Sequence, residues 1–105
     1  MLMALTMGML ATTAVRAASD QGDAKAGQVK AIACMGCHAI PGYSNVYPTY
    51  YVPRVGGQQA QYIVEALKAY KAKQRSHPTM QAQAATLSED DMKDIAAFFS
   101  SPRPE

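Results

Sequence analysis

Two cysteines are all that the 105 residues contain, and both fall in one run of five, Cys34-Met35-Gly36-Cys37-His38. A disulfide between them would close a very short loop, and short loops yield little entropic stabilisation. The chain nevertheless needs a staple. Its first residues, Met1 to Ala11, are apolar and uncharged, and small residues then lead to Val15-Arg16-Ala17. No Lys or Arg precedes the apolar run, but the pattern predicts a cleaved export leader over residues 1–17, with Val15 at −3 and Ala17 at −1. The run falls short of the roughly 20 residues that span a bilayer. The remainder, residues 18–105, is one domain. It is small for a self-sufficient hydrophobic core, and such domains usually carry a disulfide, a metal or a large cofactor.

Charge excludes some partners. The formal net charge is +2, and Arg16 leaves with the leader, so the mature chain is nearly neutral. It shows no nucleic-acid-binding character and no stable membrane insertion is expected. Apolar periodicity predicts three helices. The first runs from about Asp23 to Cys34, opened by Ser19 or Asp20. Its small residues Ala24, Gly27 and Ala31 recur at i, i+3 and i+7, which permits close approach of another helix. The second runs from about Gln58 to Lys73 after Gly56-Gly57, with Ile63, Leu67 and Tyr70 on one face. The third runs from about Glu89 to Ser100. There Ser88 and Asp91 form an acidic capping box, Met92, Ile95, Ala96 and Phe99 form a stripe, and Pro102 marks the stop. No alternating strand pattern is present. Two long connections remain, residues 39–55 with Tyr43, Tyr47, Tyr50 and Tyr51, and residues 74–87. Connections of this length are uncommon in compact domains unless they are functional or disordered, and tyrosine-rich loops that wrap a ligand account for both.

Cys-x-x-Cys-His is the attachment signature of haem c. Two thiols three positions apart can reach the two vinyl groups of one porphyrin, and the next residue, His38, then supplies an axial imidazole to the iron. Competing readings are a redox dithiol, which usually sits in a strand–helix setting missing here, a plain disulfide, and a zinc site. The last needs two more ligands, with only His77 left among the soft candidates. A second axial ligand is sought by elimination. Met35 is held between the cysteines, and Met92 lies on the apolar stripe of the third helix. Met80 lies in a long connection where no periodicity asks for a buried residue, which makes it the expected ligand. His77 is the rival, and a water-bound or open position is the third possibility. A thioether raises the reduction potential relative to a second imidazole.

The chain resembles class I cytochromes c, in particular the short periplasmic cytochromes of proteobacteria and single halves of their diheme relatives. The matching stretches are Cys34 to His38, Val52-Pro53-Arg54-Val55-Gly56-Gly57-Gln58, Tyr62 to Tyr70, Arg75 to Met80, and Thr86 through Phe99. Ala39 departs from the glycine common after the motif histidine. The resemblance implies an all-α fold of three to four short helices wrapped around one covalently bound haem. It also implies that the first and last helices cross, so that Gly27 and Ala31 meet the stripe containing Ile95 and Phe99. Pro53 is implied as the residue whose carbonyl accepts from Nδ1–H of His38.

With His38 and Met80 both on the iron, no position stays open for a substrate, so electron transfer is expected rather than catalysis. One hypothesis is a periplasmic single-haem carrier that works with redox partner proteins. The alternative is a haem c subunit of a periplasmic oxidoreductase complex, such as a flavin-dependent sulfur-compound dehydrogenase. A small-ligand sensor or peroxidase-like protein would require an open or labile Met80 position. Lys68, Lys71 and Arg75 fall at i, i+3 and i+7, and are expected to form an exposed basic face that steers an acidic partner. Glu89, Asp90, Asp91 and Asp94 gather elsewhere.

Overall fold

The computed structural model describes residues 21–102. The expected leader and the Ser19 or Asp20 helix start lie outside the described residues. Helix α1 (Ala24–Lys30) begins instead at Asp23, whose carboxylate accepts from the backbone N–H groups of Lys25 at 2.8 Å and Ala26 at 3.3 Å. Helix α2 (Ile32–His38) follows after the single residue Ala31. The bonds from Ala31 N–H to Gly27 O (2.8 Å) and from Met35 N–H to Ala31 O (2.9 Å) carry the ladder across the joint. The helical run therefore extends past Cys34 to His38, because no strong breaker occurs before Pro41-Gly42.

Helix α5 (Glu89–Ser100) has the expected bounds. Its box is reciprocal, with Asp91 N–H on Ser88 Oγ at 3.1 Å and Ser88 N–H on Asp91 Oδ2 at 2.9 Å. Met92, Ile95, Ala96 and Phe99 are buried in one cluster with Ala31 of the α1–α2 joint and with Ile63 and Leu67 of helix α3 (Ala60–Lys71). Helix α3 stops short of the expected Lys73. Lys73 takes a left-handed φ of 59°, and the N–H groups of Lys73 and Gln74 return to Tyr70 O and Ala69 O at 3.1 and 2.9 Å. That is a Schellman end with lysine where glycine is usual, so the sequence carried no stop signal there.

Helices α1 and α5 cross at very short range, and Gly27 is the reason. A methyl group there would fall 1.9 Å from the backbone oxygen of Asp94 and 3.0 Å from Phe98 Cβ. The close partners of Gly27 are thus Asp94 and Phe98, while Ala31 meets the cluster that holds Ile95 and Phe99. Gly27→Ala should force the helices apart and cost about 1–3 kcal/mol. For a domain of this size that is a fall in Tm of several degrees or more; an unchanged melting curve would contradict the packing.

Charge pins the same crossing. Lys30 Nζ lies 2.8 Å from Asp91 Oδ1 and 2.6 Å from Asp94 Oδ2, and Asp94 Oδ1 accepts from Asp23 N–H at 2.7 Å. The hydrogen bond from Lys30, with help from Ser88, holds the Asp91 carboxyl down to about 2. Asp91 also holds Lys30 above the ordinary lysine range. A depressed carboxyl contributes stability that is present above its unfolded value of 3.8 and lost as pH falls through its folded value of about 2. Thermal stability should therefore drop between those limits, and Lys30→Met should flatten that drop. A mutant with wild-type acid sensitivity would show that the pair contributes nothing.

The two long connections hold more structure than periodicity revealed. Residues 39–55 include an antiparallel hairpin, β1 (Ser44–Val46) with β2 (Thr49–Tyr51), in register Ser44↔Tyr51, Asn45↔Tyr50 and Val46↔Thr49. Strands of three residues are too short to show alternation. Residues 74–87 include helix α4 (Pro78–Ala85), with Pro78 in its first turn and His77 as its cap. Met80 is therefore helical rather than in a loop. The fold is all-α in essence, with five helical segments among the described residues, α1 and α2 forming a nearly continuous pair.

Lys71 and Arg75 are exposed and Lys68 is half-buried, but all three residues of the expected basic face have partners within the chain. Lys68 Nζ lies 3.1 Å from Glu89 Oε1, and Lys71 Nζ donates to Leu87 O. The Arg75 guanidinium sits 4.9 Å above the Tyr70 ring and donates to Tyr62 Oη at 3.4 Å. The spacing i, i+3 puts Lys68 and Lys71 on the side of α3 that rests on the α4–α5 turn and the start of α5, whereas Arg75 lies beyond the end of α3 and lines the cleft. Of the acidic cluster, Asp91 and Asp94 pair with Lys30 and Glu89 pairs with Lys68 and Lys93, so these charges meet one another instead of standing apart.

Candidate functional site

A cleft of about 410 Å³ opens between α2, α3, α4 and α5. Ile63 and Leu67 of α3 and Ile95 and Phe99 of α5 supply apolar walls. A recess of about 70 Å³ adjoins it, lined in part by Cys34, Cys37 and His38. The three motif residues sit at i, i+3 and i+4 of α2, the spacing that puts side chains on one helical face. Both cysteines are free thiols. Burial pushes the Cys34 thiol above its ordinary value, the opposite of the lowered value that activates a dithiol nucleophile. Among the described residues no three His, Cys, Asp or Glu side chains gather to hold a metal ion, which removes support for zinc.

His38 is held by the end of the hairpin. Val52 N–H bonds to Tyr43 O at 2.9 Å, and the next residue, Pro53, turns its carbonyl to within 2.7 Å of His38 Nδ1. A carbonyl only accepts, so Nδ1 carries a proton, and in the neutral ring Nε2 is the nitrogen with the lone pair. Such a bond fixes the ring and strengthens its donor nitrogen. Met80 and His77 line the same cleft. Met92 is 2 % exposed in the core, and Met35 packs against that core from the motif.

Several cleft residues were not singled out by sequence as site residues. Arg54, Arg75 and Tyr62 bring polar and cationic groups to an otherwise apolar cleft. Arg54 carries no periodic signal and Arg75 was expected on a docking face, so only the three-dimensional arrangement places them at the cleft. Of the tyrosines, Tyr50 and Tyr51 line the recess, whereas Tyr47 is 93 % exposed.

An apolar cleft, two free thiols on one helix face, a tautomer-fixed imidazole beside them and a thioether on the same cleft define a class: small helical domains built around a tethered, metal-bearing ligand. The donor set and the apolar walls fit a haem. Residues 24–102 match the family model described as Cytochrome c. The chain is 40% identical over 83 residues to cytochrome c-554(548) of Halomonas halodenitrificans, a match covering 76% of this chain and 96% of that one. It is 37% identical over 82 residues to cytochrome c4 of Pseudomonas aeruginosa, covering 78% of this chain and 39% of that one. Among solved structures, cytochrome c4 of Acidithiobacillus ferrooxidans superposes with a TM-score of 0.60 at 30% identity, over 80% of this chain and 53% of that one. The chain thus spans nearly all of the first relative and about half or less of these cytochromes c4. It belongs to the cytochrome c family, electron-transfer proteins that carry covalently bound haem c, and not to the enzymes.

Proposed function

We propose that Cys34 and Cys37 tether one haem c, that His38 Nε2 and the Met80 sulfur are its axial ligands, and that the chain is a periplasmic one-electron carrier after loss of residues 1–17. The observation that carries this reading is the bond from His38 Nδ1 to Pro53 O at 2.7 Å. It leaves Nε2 as the donor beside two free thiols, with Met80 on the same cleft. Cys34 and Cys37 would hold the group, each thiol adding its S–H across one vinyl group, so that two C–S bonds would form with no leaving group. Bound haem supplies the chemistry, cycling between Fe(III) and Fe(II) to accept and give one electron.

The chain's own residues do the rest. Pro53 orients His38 and keeps its Nδ1 protonated. Ile63, Leu67, Ile95 and Phe99 limit water at the metal, which lowers the local dielectric and helps tune the potential. Arg54 and Arg75 suit the carboxylate edge of the ligand, since an arginine fork pairs well with carboxylates. With His38 and Met80 both coordinating, no position is left for substrate, which supports outer-sphere transfer between redox partner proteins. The test is exposure of the reduced protein to carbon monoxide. No spectral change is expected at neutral pH; stoichiometric binding would show an open or labile position and move the reading to a ligand sensor.

A further inference from the structure

We infer that His77 is a positioning residue for Met80, acting through the first turn of α4. The inference rests on the reading of Met80 as an axial ligand. Helix α4 has little of its own to hold it, since Ala84 is its one buried residue. Contacts at its N-terminus therefore weigh heavily in its register against the cleft. There His77, in extended backbone, accepts the Met80 N–H on Nδ1 at 3.4 Å. The imidazole is itself wedged edge-on between two aromatic rings, Tyr50 at 4.6 Å and Tyr70 at 6.4 Å between centroids. Tyr50 Oη also donates to Thr79 Oγ1 at 3.2 Å, and Gln81 Nε2 donates to Arg75 O at 2.9 Å. Ser, Thr, Asp and Asn are the preferred caps. A histidine there, gripped by two tyrosines and bonded to the backbone of the ligand residue, ties the ligand to α3 and to the hairpin at once.

Displacement by added imidazole reads the strength of the Met80 bond directly. His77→Ala should bind imidazole to the oxidised protein about fivefold more tightly, the roughly 1 kcal/mol of a lost cap. His77→Asn, which restores a side-chain acceptor, should return to within twofold of wild type. Should His77→Ala fail to accumulate, Tyr50→Phe removes only the hydroxyl on Thr79 and should give a two- to threefold shift. An unchanged imidazole affinity in the variant that is read, or an Asn variant that binds imidazole as tightly as Ala, would overturn the inference. Met80→Ala separates this from the underlying reading: it should lose the sulfur-to-iron charge-transfer band, and retention of that band would overturn both.

Discussion

Replacing Cys34 and Cys37 together by serine should give a colourless chain without a cooperative melting transition. Serine matches cysteine in shape, so the loss does not come from packing at α2. It comes from the cleft. An empty void of about 410 Å³ would cost on the order of 10 kcal/mol at about 24 cal/mol per Å³, an upper figure because the cleft opens to solvent. That rivals the 5–15 kcal/mol by which a whole domain is typically stable. The remaining core is thin, with Ala31, Ala84 and Ala96 among its buried members, and α4 has one buried residue. Helices α3, α4 and α5 should therefore lose their fixed arrangement, and circular dichroism should report a largely unfolded chain. A native-like, cooperatively melting double mutant would show that the domain folds without the group it is proposed to enclose.

Met80→Ala should leave the haem attached and the fold largely in place, because Met80 is only partly buried at the edge of the core. The chemistry should change far more than the stability. The weak sulfur-to-iron charge-transfer band of the oxidised protein should vanish. The reduction potential should fall by a sizeable fraction of the roughly 0.8 V span over which axial ligands tune haem, because the thioether is what favours Fe(II). The reduced mutant should also bind carbon monoxide, which the parent should not. If His77→Asn produces these changes and Met80→Ala does not, the ligand is the imidazole.

Helix α5 was legible to the residue, because Ser88 and Asp91 announce its start, Met92 to Phe99 its buried face and Pro102 its end. The motif and its helix were legible too, although the run continues to His38 rather than stopping at Cys34. Helix α4 was not: with Ala84 alone buried, its sequence has no apolar face to detect, and its cap is a histidine. The hairpin escaped for a related reason, since pairs as short as Ser44↔Tyr51 to Val46↔Thr49 leave no period to count. Lys73 hid the end of α3 by adopting a backbone conformation that usually selects glycine. Lys68, Lys71 and Arg75 show a different limit. Periodicity gives the face on which a lysine lies, but not that Glu89 and Leu87 O sit within reach of it. Pro53 came from resemblance alone, and the hairpin that delivers its carbonyl to His38 is a three-dimensional fact.

The most direct test of the account is the intact mass of the wild-type protein after denaturation and acidic organic extraction. The account predicts a polypeptide beginning after Ala17 and heavier by one haem, with the adduct on the peptide that contains Cys34 and Cys37. A bare polypeptide mass, with the haem in the organic phase, would contradict it.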